Sequence, residues 1–362
     1  MDILSLGVLG DILGFNNGNI KKMRIRITKK QFGDNYINEG KNYASTQFFT
    51  FLANGGVNQN INNLKYSFNT LMLMATLKGC QNNKDNLTKS CANEYIRMYK
   101  KVGQKNLNNT YFINNNYLNS LESLNKNESI QYNNIYNDSM VLSRIVPIAL
   151  LFWKKEDRTK LITEIINNIS LTHKNTTTYL AGITLGLFVS YSRYNIEVDK
   201  WADKLTDYLL SSEFDTIIKD IKLYSTEFLI EKEDYISMWN EYLNSVFFKN
   251  RRELIFKNLI PSNRANNLFL RFNELNAEEF VYGIKADQAL IIAYESLLMS
   301  NGNWQNILLF GMIGVTDNSV MGMLSGILFG LVYKYNTVNE IQFMNEPWRE
   351  KIVNLSKDLN FN

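Results

Sequence analysis

Only three prolines interrupt 362 residues. A chain so poor in the residue that breaks helices is free to run long ones, and its apolar residues fall where helices need them. Trp201, Leu205, Tyr208 and Leu209 stand at i, i+4, i+7 and i+8, one stripe of a helix. Leu161, Ile165, Ile166 and Ile169 make a second stripe, and Trp304, Ile307, Leu308 and Phe310 open a third. Alternation with period two is scarce: Lys22-Met23-Arg24-Ile25-Arg26-Ile27 fits one short strand, but it stands alone. The pattern predicts an all-α fold. With 45% hydrophobic residues the chain can bury a substantial core. No repeat or clear boundary divides it, so residues 1–362 read as a single domain. The stretch from about Gly103 to Asp138 departs from this pattern: crowded with Asn and weak in helical period, it reads as a long irregular excursion. Asn345 to Asn362 reads as a closing amphipathic helix.

Glycine is spaced along several of these segments. Gly322, Gly326 and Gly330 recur every four residues, Gly182 and Gly186 do the same, and Gly7, Gly10 and Gly14 line the first segment. Glycine costs about 1 kcal/mol against alanine inside a helix. Its repeated use on one face therefore implies helices whose backbones approach closely, which is favoured over contact with a ligand. The flanking sequence is too polar for a membrane GxxxG pair.

Composition removes several functions. Charges nearly balance, 39 basic against 35 acidic, which does not point to nucleic acid. Cys80 and Cys91 have no metal-binding spacing and fit free thiols in a reducing compartment. The start has no basic leader and Asp11 interrupts its apolar stretch. The longest apolar run, Val320 to Tyr333, is too short to span a bilayer. These features predict an intracellular protein, cytoplasmic by preference, without membrane insertion. His173 is the single histidine, so a multi-histidine zinc site is impossible and a nucleophile–histidine pair could form only there. Hydrolytic chemistry would have to lean on carboxylates, a metal, or both.

Several segments, in order, resemble one family. Gly10-Asp11-Ile12-Leu13-Gly14-Phe15-Asn16-Asn17-Gly18 resembles the GDxLGxxNG start of the ADP-ribosyl-acceptor hydrolases, in particular ADP-ribosylarginine hydrolase. Ser67-Phe68-Asn69-Thr70 and the helix-like Leu71 to Thr76 look like its SDDTxMxxAT motif. Arg144-Ile145-Val146-Pro147-Ile148 is similar to MRxxPI, and Thr172-His173 with Tyr179-Leu180 to TH…GYLG. Ala293-Tyr294 resembles the AYD helix. Asp317-Asn318-Ser319-Val320-Met321-Gly322, running into Ser325 to Gly330, resembles GGDSDSTGxIAGxLxG. The resemblance implies a compact orthogonal helical bundle of the ADP-ribosylglycohydrolase type. It also implies descent from enzymes that cut the bond between ADP-ribose and arginine with two magnesium ions.

The positions that should hold those ions are depleted. Phe68 and Asn69 stand where both aspartates of SDDT belong. Ser319 replaces the second aspartate of GDSDS, and Val320 replaces a hydroxyl ligand. Ser67 and Thr70 remain, Thr70 as a candidate neutral ligand, with Asp317 as the one surviving carboxylate. Neutral groups cannot offset two dications held close together. The ligand loops agree. Asn137-Asp138-Ser139-Met140 has no glycine where backbone should approach ADP-ribose, and Asn276 to Lys285 has one glycine and the acids Glu278 and Glu279. Acids there repel a diphosphate, and side chains crowd it. The expectation is a plugged apolar site around Phe68 and Met140, with no metal and no cofactor. Asp317 reads as a helix N-cap, His173 as a packed or capping residue, and Asp11 as a local hydrogen-bonding group.

Three functions follow, from three classes. The leading one is a catalytically degenerate relative that works as a structural or protein-interaction module. The second is a working magnesium-dependent ADP-ribosylarginine hydrolase whose carboxylates come from Asp138, Glu278, Glu279 or Asp287. The third is a reader that binds ADP-ribose without turnover. A basic run, Lys21 to Lys30, is either a solvated edge or a contact for an acidic partner or phosphate.

Overall fold

The computed structural model describes residues 2–18, 26–133, 136–245, 260–273, 277–339, 343, 346–357 and 359. Among them the chain runs from helix to helix. In order these are α1 (Asp2–Asn16), the single turn α2 (Lys29–Phe32), α3 (Tyr36–Ala53), α4 (Phe68–Asn82), α5 (Leu87–Val102), α6 (Gln104–Asn109) and α7 (Asn115–Asn125). After a 3-10 segment, Ser139–Arg144, come α8 (Ile145–Leu151), α9 (Arg158–Ser170), α10 (Thr176–Arg193), α11 (Trp201–Leu209), α12 (Ser212–Asp220) and α13 (Thr226–Asn244). The last are α14 (Pro261–Phe272), α15 (Ala286–Ser300), α16 (Trp304–Met312), α17 (Asn318–Tyr333) and α18 (Pro347–Lys357). The three sequence stripes fall in α11, α9 and α16. No described helix is long and apolar enough to cross a membrane.

The chain divides into two compact units, Met1–Asn69 with Asn250–Lys351, and Thr70–Lys249 with Ile352–Asn362. The first is organised by α1 and α17. Both are buried on every side and mostly apolar, as such helices tend to be: Leu4 to Leu13 and Asn318 to Gly330 are all buried. They lie antiparallel, because Gly7 meets Ile327, Gly10 meets Gly322, and Gly14 meets Asn318. A Cβ at Gly10 would stand 2.0 Å from the Gly322 carbonyl oxygen, and one at Gly14 would stand 1.9 Å from that of Asn318. The glycines are there for backbone contact. Behind them, Glu295 of α15 is buried between Arg264 (2.7 Å) and Arg271 (2.5 Å) of α14.

In the second unit α10 is buried along most of its length. Gly182 and Gly186 again permit close contact, here with the side chains of Ile169 and Ile165 on α9. The excursion expected to be irregular is partly helical. Asn114 caps α7 by accepting the Tyr117 N–H at 2.7 Å, and Leu107, Tyr117, Leu118 and Leu121 are buried. Its asparagines hid a helix start, since Asn favours the N-cap. Cys80 and Cys91 are free, buried thiols.

Most of the anticipated strand, residues 22–25 of 22–27, lies outside the described residues. Just after it, Thr28 forms an isolated bridge with Glu279, and Phe280 N–H donates to Ile27 O at 2.8 Å. The same holds for the basic run, of which Arg26, Lys29 and Lys30 are described. Arg26 pairs with Glu279 at 2.7 Å, while Lys29 and Lys30 are exposed.

Candidate functional site

The antiparallel contact of α1 and α17 sets Asp11 close to the first turn of α17. Asp11 is fully buried. Its Oδ2 accepts the Ser67 N–H at 2.9 Å and its Oδ1 accepts the Ser67 hydroxyl at 2.5 Å. Ser67 Oγ in turn accepts the Asn69 N–H at 3.0 Å, at the start of α4. Asn69 Nδ2 donates to Ser319 Oγ at 3.1 Å and more weakly to Asp11 Oδ1 at 3.5 Å. The Ser319 hydroxyl donates to Asp317 Oδ1 at 2.5 Å. Asp317 is the N-cap of α17, and Asn318 fixes the turn by donating to Gly18 O at 2.9 Å. Every donor direction is consistent, so two buried carboxylates are joined by one chain of neutral groups.

The motif positions Ser67, Asn69, Asp317 and Ser319 are therefore brought together, and Asp317 is the N-cap of α17. Asp11, expected to bond locally, also reaches a distant part of the chain through Ser67 and Asn69. The order of the two motifs was the available signal, since a buried carboxylate needs donors and Ser67 opens the segment that supplies them.

Magnesium, implied by the resemblance, asks for near-octahedral oxygen ligands. Phe68 is fully buried and apolar. Asn69 turns an N–H donor toward Ser319 and Asp11, and a donor cannot ligate a cation. Its Oδ1 is buried with no hydrogen-bond partner. Val320 is buried and offers no side-chain ligand. These residues do not fit two magnesium ions. Nor do any three His, Cys, Asp or Glu side chains among the described residues form a group suited to a metal. The acids that a rewired site would use are placed otherwise. Glu279 is paired with Arg26, Glu278 is exposed, and Asp287 is half-buried in the first turn of α15. The loop that carries the first two is packed down by Phe280 and Tyr282, both buried, with Tyr282 N–H donating to Val315 O at 3.2 Å.

The second unit holds the other loop. Asp138 caps the 3-10 segment, accepting the Met140 N–H at 2.8 Å, and its second oxygen accepts from Asn114. Ser139 and Met140 are buried, and Asn137 accepts from the Thr178 hydroxyl at 3.3 Å. Thr70, at the edge of this unit, is buried as well. Below them Arg144, fully buried, donates to Tyr117 OH, Asn168 O, Ile169 O and Thr172 Oγ1 at 2.7–3.1 Å. His173 stacks on Tyr136 with ring centroids 4.4 Å apart and bonds Thr172 Oγ1 through Nδ1 at 2.8 Å. Burial, and then the charge of Arg144, push the imidazole pKa well below its ordinary value. A neutral ring packed on all sides is the residue the sequence suggested, not an exposed base. Sequence reasoning overlooked Glu295, which follows Ala293-Tyr294 where the family motif has an acid. Here that acid is taken by two arginines.

Comparison with known proteins places the chain in a family. Residues 3–360 match the ADP-ribosylglycohydrolase family. L444 of Acanthamoeba polyphaga mimivirus, which carries the name ADP-ribosyl glycohydrolase, is 24% identical over 91% of this chain and 63% of its own length. ADP-ribosylhydrolase ARH1 of Dictyostelium discoideum is 24% identical over 60% of this chain and 58% of its own length. The chain thus spans less than two thirds of the length of these curated relatives. A solved structure of an ADP-ribosylglycohydrolase-related protein complex superposes with a TM-score of 0.56 at 11% identity, covering 99% of this chain and 98% of that one; a likeness at that identity speaks for the fold alone. Matched from residue 3 almost to its last, the chain belongs to the ADP-ribosylglycohydrolase family.

Proposed function

We propose that this chain is a non-catalytic member of its family, kept as a structural or protein-interaction module. The observation that carries the reading is Asn69, whose side-chain N–H groups face Ser319 and Asp11 where the family motif has a metal-binding acid. Two dications need several negative charges to offset their repulsion, and this network supplies neutral groups in their place. The closed loop around Phe280 and Tyr282 supports the same reading, because a loop pinned by buried aromatic rings does not offer bare backbone to a diphosphate.

Titration of the full chain with magnesium in a calorimeter tests the proposal. The expected result is no saturable two-site binding at millimolar metal. A tight two-site isotherm, or magnesium-dependent release of ADP-ribose from modified arginine, would overturn it in favour of a rewired hydrolase. Protection against thermal unfolding by ADP-ribose, with no turnover, would replace it with a reader.

A further inference from the structure

The second unit carries a groove that the family motifs do not reach. It encloses about 480 Å³ between the start of α9, the end of α10 and helices α11 and α12, a size within the range of small-molecule sites. Its floor holds Arg158, which is buried. The guanidinium donates to Ser190 Oγ at 3.3 Å and lies 5.1 Å from the Tyr208 ring centroid. Arg158 Nε is buried without an acceptor, and no described carboxylate pairs with this side chain. A buried guanidinium held by one long hydrogen bond, a neighbouring phenol and an aromatic face is under-compensated. Lys155 and Lys204 stand on the rim, and Tyr191, Tyr194 and Tyr208 supply ring surface.

Two acids, Asp207 and Glu213, also line the groove. Both are exposed at its edge, and Glu213 accepts the Tyr208 hydroxyl at 3.3 Å. They leave the floor cationic while opposing a ligand of high negative charge. An organic cation, which tyrosine rings would otherwise attract, would have to sit against Arg158.

We infer that this groove binds a small organic anion carrying a flat ring, with its single phosphate or carboxylate group held by Arg158 and its ring against the tyrosines. Arg158 then gains the planar, charge-assisted contact that guanidinium prefers.

Calorimetry on the full chain with phenyl phosphate, benzoate and inorganic phosphate tests this. A ring-bearing anion should saturate the protein at millimolar concentration or below, and inorganic phosphate should bind about tenfold more weakly for want of the ring. Tighter binding of phenyl phosphate identifies the phosphate source, and tighter binding of benzoate the carboxylate source. Arg158→Gln should weaken binding at least about tenfold. Circular dichroism would show whether that variant is folded. The exposed Tyr194→Ala and Lys155→Gln keep the test decisive if it is not, each with an expected loss of about two- to fivefold. Failure of both ring-bearing anions to saturate at about 10 mM would overturn the inference. So would unchanged affinity in folded Arg158→Gln, or in both rim variants. Magnesium and arginine-linked ADP-ribose play no part in these measurements, so the outcome is independent of the proposed loss of catalysis.

Discussion

Inside the first unit Asp11 and Asp317 are held by hydroxyls, an amide and backbone N–H groups. Inside the second, Arg144 is held by two hydroxyls and two backbone carbonyls, between the rings of Tyr95 and Tyr117. One network is centred on negative charge and the other on positive charge, and in both the partners seen are neutral. A charge solvated by dipoles depends on its whole cage, whereas Glu295 depends on the two opposite charges of Arg264 and Arg271. The two networks also differ in what they leave behind when broken. Arg144→Ala takes a donor from the Tyr117 and Thr172 hydroxyls and from two α9 carbonyls that keep backbone N–H partners, and it empties the space beside the Tyr95 and Tyr117 rings; it should cost about 4 kcal/mol. Asp11→Ala orphans the N–H and hydroxyl of Ser67 and should cost about 2–3 kcal/mol. Urea unfolding of the full chain measures both; equal losses would mean that the arginine cage is no more demanding than the acid one.

Both networks hang on helix pairs seated by glycine, and the seating differs in kind. At Gly10 an added Cβ meets the backbone of Gly322, at 2.0 Å from its oxygen, while at Gly182 it meets Ile169 Cδ1, the end of a side chain, at 2.4 Å. Backbone cannot give way without moving α17, and with it the turn that holds Asp317. Gly10→Ala should therefore cost about 3 kcal/mol or more, and Gly182→Ala about 1 kcal/mol once Ile169 changes rotamer. The expected order reverses only if α1 and α17 can slide apart more easily than α9 and α10.

This contrast shows where sequence was enough. Periodic Leu and Ile, scarce Pro and glycines at every fourth residue specify helices and their tight faces, because those features act through local geometry and packing. Substitution at Phe68, Asn69, Ser319 and Val320 was equally plain, since a missing carboxylate or hydroxyl is read directly. Hydrogen-bond partners were not legible: Asp11 looked local, and it also reaches Ser67 and Asn69, more than 50 residues away. Arg158 and its groove depend on four segments meeting, and no motif announces that. Asn-rich sequence between 103 and 138 misled for a physical reason, as Asn114 serves a helix cap and an irregular loop equally well.

The acid network can be pushed toward its ancestral chemistry. Asn69→Asp removes a donor and sets a third carboxylate beside Asp11, so it should cost about 2 kcal/mol at neutral pH without metal. Magnesium should restore none of this, because Phe68 and Val320 still exclude ligands. A metal present at 100 times its dissociation constant would return about 2.7 kcal/mol. Recovery of that size in the melting temperature would mean that the site is latent rather than lost.

The smallest effect belongs to the cationic network and is read by pH. His173 is the only histidine and is held neutral by burial and by Arg144. In the unfolded chain it takes up a proton near pH 6.5. The unfolded state therefore binds more protons below that pH, and stability falls as pH drops through 6.5 towards the depressed folded value, while above 6.5 the group contributes no slope. Between pH 7 and about 5.5, before the bulk of the carboxylates titrate, the loss should reach about 1 kcal/mol. His173→Gln should flatten the slope in that window. A slope that survives the substitution would mean that His173 is not the source of the pH sensitivity.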